Sequence, residues 1–160
     1  MSDPPADILR RLRPIPTSAG PPTTRPRDVE GVDTDGAPCR VHVVDATAPV
    51  LLLFLAADCI GCRDLWAGLA DLHAGLDRAA RLAVVTKSPP DEDPAAIRGL
   101  AADAPTRCGI PMVMSTAAYG HYRAAAPFLV VAAPDRVLAE SVAWGVDDTV
   151  RTAMTALSPG

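Results

Sequence analysis

Apolar and polar positions change period several times along the chain, and each change predicts an element. From Val50 to Leu55 the residues are continuously apolar (VLLLFL), bounded by Pro49 and by the small-polar run Ala56 to Asp58. Such a run suits a strand buried on both faces. From Cys62 onward, Leu65, Leu69, Leu72 and Leu76 recur at helical steps, with Trp66 and His73 beside the stripe. This predicts one amphipathic helix reaching Leu76. Arg81 to Thr86 (RLAVVT) reads as a second core strand and Lys87 to Asp93 (KSPPDED) as an exposed acidic loop. Asp93 and Pro94 supply a cap and a first-turn proline for a helix through Ile97, Leu100 and Ala101 to about Asp103. Ile110 to Met114 predicts a further strand, and Ser115 the cap of a short helix from Thr116 to about Arg123. Phe128 to Val131 and Val137 to Val142, joined by Ala133 to Arg136, predict a hairpin, and Val146 to Leu157 the last helix. Upstream, Val29 to Val32 and Arg40 to Val44 flank the turn sequence Asp33-Thr34-Asp35-Gly36, a second hairpin.

Residues 1–27 break this patterning. They are rich in proline and arginine (PPAD, RPIP, GPPTTRPR) and read as a disordered arm, with Ile8 to Arg13 (ILRRLR) as solvated tail rather than a docking turn. The domain is then expected over 28–158. Nearly half of the 160 residues are apolar, enough for one full core, and with few aromatics the packing rests on Leu, Val and Ala. A formal net charge of -4 argues against a nucleic-acid partner. No apolar stretch is long enough to span a membrane, and the N-terminus lacks a signal-peptide core. The chain as it stands is therefore expected in the cytoplasm, with a missing or alternative leader left open.

The chemistry concentrates at Cys59-Ile60-Gly61-Cys62, where the buried strand ends and the helix begins. Free backbone N–H groups of a first helical turn stabilise a thiolate at Cys59. Two residues between the cysteines bring both sulfurs within disulfide reach, Cys59 outermost and Cys62 one turn deeper. A zinc site from Cys39, Cys59, Cys62 and Cys108 stays open on composition, but the second C-x-x-C or H-x-x-x-H half is absent. His42, His73 and His121 share no ligand spacing with one another or with the C-x-x-C, so neither metal nor cofactor is assigned.

This strand, C-x-x-C, helix order resembles the thioredoxin-like superfamily of thiol-disulfide oxidoreductases. The leading hairpin around an Asp-Gly turn makes it more similar to the TlpA and ResA type, which includes MauD-like proteins, and the extra helix and strand between Pro94 and Met114 resemble the insertion that sets TlpA-like and peroxiredoxin-like domains apart from minimal thioredoxin. The resemblance implies an α/β fold of three layers, with a central mixed sheet, an N-terminal hairpin and an inserted helix–strand unit. It implies thiol-disulfide exchange with protein thiols and disulfides, Cys59 as nucleophile, Cys62 as resolving thiol, and an upstream reductant or oxidant. A monomer is expected. Pro127 matches by order the cis proline that the superfamily places against the C-x-x-C, so Ala126 before it is expected to offer its backbone to substrate.

Departures from the family pattern carry their own expectations. Ile60 puts an apolar side chain on the rim, which favours a protein substrate. Asp58 stands where thioredoxins often carry an aromatic residue; its carboxylate opposes the helix N-terminus and Arg63 in tuning Cys59. Thioredoxin's buried acid has no counterpart in Leu51 to Leu55. Asp58 can take that role, although a helix-capping aspartate is the preferred reading. Cys39 reads as a partly buried strand residue. Two alternatives stay open: a peroxidase pairing Cys59 with Cys108, although the P-x-x-x-[ST]-x-x-C pattern is missing, and a non-catalytic thioredoxin-like maturation or binding module. Trp66 and Trp144 read as core or rim packing.

Overall fold

A computed structural model describes residues 24–102 and 109–158. The central strand β3 (Val50–Phe54) is buried at all five positions because apolar layers cover both its faces. Leu51 and Leu53 point into one cluster, and Val50, Leu52 and Phe54 into the other. Each such side chain contributes about 1.5–3 kcal/mol on burial. β3 runs parallel to β4 (Arg81–Thr86) and antiparallel to β6 (Phe128–Ala132). Outward from β4 lies β5 (Met112–Met114), parallel to it, and then the hairpin of β1 (Val29–Val32) and β2 (Pro38–Val41). β7 (Val137–Val142) pairs with β6 at the other edge, so the strand order is β2-β1-β5-β4-β3-β6-β7. The inserted strand β5 thus joins the N-terminal hairpin to the core sheet.

Five helices are described: α1 (Arg63–Ala67), α2 (Leu69–Leu76), α3 (Pro94–Ala101), α4 (Thr116–Tyr122) and α5 (Val146–Leu157). Leu65, Leu69, Leu72, Leu76, Ile97 and Ala153 pack on one face of the sheet, and Ala118, Tyr119 and Tyr122 of α4 on the other. This is a mixed-sheet, three-layer α/β architecture. Asp93 Oδ1 accepts the Ala95 N–H at 3.0 Å and Ser115 Oγ accepts the Ala118 N–H at 3.2 Å, capping α3 and α4.

Three local outcomes differ from the periodicity. The helix after the C-x-x-C is broken at Gly68, although its hydrogen bonds continue through Gly68 N–H to Asp64 O and Leu72 N–H to Gly68 O, both 2.9 Å. A Cβ at Gly68 would collide with the Val146 side chain, and one at Gly75 would lie 2.9 Å from Val150 Cγ2. Two glycines therefore form a slot for two valines of α5. In the N-terminal hairpin, β2 begins at Pro38 and stops at Val41. Asp28 Oδ1 accepts the N–H groups of Val43 and Val44 at 2.7 and 2.9 Å and takes them from the ladder. The described part of α3 ends at Ala101, and Cys108 lies outside the described residues, as does most of the arm expected over 1–27.

Candidate active site

β3 delivers its chain end to a loop fixed by three groups from distant segments. The Trp66 indole Nε1 donates to Ala56 O at 3.2 Å, and Glu92 Oε1 accepts the Ala57 N–H at 3.3 Å. The Tyr119 hydroxyl donates to Leu55 O at 2.7 Å, with Val85 O at 3.5 Å. Burial foremost, then the charge of Glu92, pushes the Tyr119 phenol well above its ordinary range, so it remains a donor.

The loop ends at Cys59, which opens a 3-10 turn, Ile60–Cys62, continued by α1. Cys59 and Cys62 form a disulfide, with Cα atoms 5.2 Å apart and the Cys62 N–H on Cys59 O at 3.1 Å. Cys62 is fully buried among Leu65, Trp66 and Ala143, whereas Cys59 is half-buried. Ile60 is 80% exposed, as the rim position requires. A Cβ on Gly61 would lie 3.3 and 3.4 Å from Cγ and Cδ of Pro127, so the turn rests directly against that proline ring.

The Ala126–Pro127 peptide is cis, and Pro127 O accepts the Ala143 N–H at 3.1 Å, which extends the β6–β7 ladder by one pair. Trp144 is 70% exposed, on the rim rather than in the core, while Trp66 is 3% exposed. A cavity of ≈ 360 Å³ opens on Cys59 and Ala126 and is lined also by Asp58, Lys87, Asp91, Glu92 and Tyr119.

Asp58 is exposed and does not cap the turn: Cys59 itself holds the N-cap position, one residue further on, with no side-chain cap bond. The helix-cap reading of Asp58 is corrected accordingly. Arg63 opens α1 with its side chain exposed. Glu92 and Tyr119 were not visible as site residues in the sequence, because the acidic loop reads as solvated and the helix as packing. Their only signal is proximity across 35 and 64 residues.

Cys39 stands apart on β2, half-buried, with Sγ 3.9 Å from Met112 O. Burial first, then the Asp33 charge, pushes its thiol up, so it is a poor nucleophile. Among the described residues one group of potential ligands converges, Asp28, His42 and Asp45, with ligand atoms within 4.8 Å of one another. Asp28 already holds two backbone N–H groups, that of Val43 foremost in keeping its carboxyl below the usual range, and Arg40 stands 4.0 Å from Oδ2. The group closes the loop after β2.

No protein-family model and no curated protein matches the sequence. Solved structures do match in fold. The thioredoxin domain of a thiol-disulfide oxidoreductase from Bacteroides vulgatus superposes with a TM-score of 0.62 at 19% identity, covering 88% of this chain and 100% of that one. A thiol:disulfide interchange protein from Chlorobium tepidum gives 0.59 at 19% identity, covering 89% and 100%. The peroxidoxin BcpB from Mycobacterium tuberculosis gives 0.57 at 21% identity, covering 84% and 95%. The chain therefore has the thioredoxin-like fold, with a cysteine pair at disulfide distance at the end of its central strand.

Proposed function

We propose that this protein is a thiol-disulfide oxidoreductase of the TlpA and ResA type, exchanging disulfides with protein substrates through Cys59 and Cys62. The observation that carries the reading is the cysteine pair itself: a half-buried Cys59 joined to a fully buried Cys62, on a turn that rests against Pro127. The leading β1–β2 hairpin supports the type. In the reducing direction the Cys59 thiolate attacks one sulfur of a substrate disulfide and expels the other as thiolate. Cys62 then attacks Cys59 Sγ, releasing the second substrate thiol and closing the Cys59–Cys62 disulfide. Two electrons pass to the substrate, and the reverse sequence oxidises a substrate dithiol. An upstream dithiol or disulfide resets the pair.

Accessibility supports this order, since Cys59 lines the cavity and Cys62 does not. Ala126 supplies backbone for an extended substrate segment, in the manner of strand addition, with Pro127 and Ile60 flanking it. Asp58 and Arg63 tune Cys59. Cys62→Ala removes the exit from the mixed disulfide, so a reducible protein adduct on Cys59 accumulates in lysate. Adducts no more abundant than with Cys59→Ala, Cys62→Ala would overturn the reading.

A further inference from the structure

The loop after β4 brings charge to the nucleophile. Its hydrogen bonds fix it in place: Ser88 N–H to Thr116 Oγ1 at 2.9 Å, Thr116 N–H to Ser88 Oγ at 3.0 Å, and Thr116 Oγ1 to Asp91 Oδ2 at 3.2 Å. From this base Glu92 reaches across to the N–H of Ala57, two residues before Cys59. Among the described residues, the charged or titratable groups that line the cavity with Cys59 are Asp58, Asp91 and Glu92, all acidic, Tyr119, held neutral by burial, and Lys87, the one cation. Lys87 Nζ lies 5.6 Å from the centroid of the Tyr119 ring, turned to its face. Against these acids stand the free N–H groups of the turn that Cys59 opens and Arg63 on the first turn of α1, whose charge solvent weakens because it is exposed.

We infer that Glu92 is a positioning residue for the dithiol: it clamps the loop that presents Cys59 and, by its charge, holds Cys59 as a neutral thiol near neutral pH. The inference rests on the exchange reading above and deepens it. A protonated Cys59 denies the reduced form the thiolate stabilisation that makes a strong oxidant.

The substitution Glu92→Gln separates charge from position, because the amide oxygen still accepts the Ala57 N–H. Glu92 and Cys59 line one cavity, and a unit charge about 9 Å away moves a titration by roughly 0.3 to 1.3 pH units between effective dielectrics of about 80 and 20. The experiment measures the rate of Cys59 alkylation by iodoacetamide against pH in reduced protein carrying Cys62→Ser. Glu92→Gln is expected to lower the half-maximal pH by that amount and Asp58→Asn to lower it as well. Glu92→Asp, which keeps the charge, stays within about 0.2 units of the parent, and Asp135→Asn, in the turn at the opposite end of β6, leaves it unmoved. A Glu92→Gln midpoint that is unchanged or higher overturns the inference. Should Glu92→Gln fail to fold, Glu92→Ala with the same readout decides by the same sign. Failure of the exchange reading looks different: no trapped partner, with the alkylation shift intact.

Discussion

Removing one buried hydroxyl tests how the end of β3 is held. Tyr119 is 6% exposed and its hydroxyl donates to Leu55 O at 2.7 Å, while Leu55 itself is fully buried. Tyr119→Phe keeps the ring and its edge-on contact with Phe54, whose centroid lies 5.0 Å away, so packing is conserved and only the hydroxyl is lost. The loss has two parts: a hydrogen bond worth about 0.5–1.5 kcal/mol net, and a buried carbonyl left unpaired, for a combined destabilisation of about 1–3 kcal/mol. Urea unfolding of the oxidised protein reads this directly. With a slope of about 2 kcal/mol per molar urea, the midpoint falls by about 0.5–1.5 M. Alkaline pH gives a second reading. The folded-state pKa of Tyr119 is raised, so its contribution to stability is fully present below the unfolded value near 10 and is lost as pH rises beyond it, because the unfolded chain ionises first. Tyr119→Phe should therefore flatten the loss of stability above about pH 10. Tyr122, also raised chiefly by burial, leaves a residual slope. A urea midpoint within about 0.2 M of the parent, with an unchanged alkaline limb, would refute the claim that this hydroxyl pins the strand end.

Gly68→Ala is expected to destabilise by about 1–3 kcal/mol, since the new Cβ meets the Val146 side chain and the Asp64 carbonyl; Val146→Ala in the same chain should recover part of it in a thermal-unfolding double-mutant cycle. Cys39→Ser is expected to leave Cys59–Cys62 pairing unchanged, and Cys39 in the native parent to react with iodoacetamide more slowly than in urea, as competitive labelling and mass spectrometry will read. Ile60→Ser and Trp144→Ala each remove an exposed apolar side chain, the first on the turn between the cysteines and the second next to Ala143, whose N–H binds Pro127 O. Each should lower kcat/KM for reduction of a protein disulfide by about 3- to 30-fold, roughly the worth of one apolar contact, with little effect on a small aliphatic disulfide. Equal losses on both substrates would count against a rim that binds protein.

What the sequence disclosed is local, and what it hid is long-range. The apolar run at Val50 and the leucine stripe from Leu65 to Leu76 announce a buried strand and a helix because periodicity acts within a few residues. The caps at Asp93 and Ser115, and the bounds of α5, are legible for the same reason. The break at Gly68 is not, since Val146 imposes it from the far end of the chain. Nor is the early end of β2, which Asp28 sets through two side-chain bonds. At the site, the C-x-x-C junction shows in the pattern, whereas the cavity wall does not. Glu92 looks like one acid in a solvated loop until the loop is folded back onto Ala57, and Asp58 looks like a cap until the turn is seen to start at Cys59.

The central claim is that Cys59 and Cys62 form one redox-active pair. Its most direct test is non-reducing peptide mapping of purified protein equilibrated in buffers of graded dithiothreitol ratio, with free thiols alkylated at each point. A single two-electron transition is expected, in which the Cys59–Cys62 disulfide is replaced by two alkylated thiols and reforms on reoxidation, while Cys39 remains alkylated throughout. A Cys39–Cys108 bridge dominating the oxidised state, with Cys59 and Cys62 free under oxidant, would contradict it.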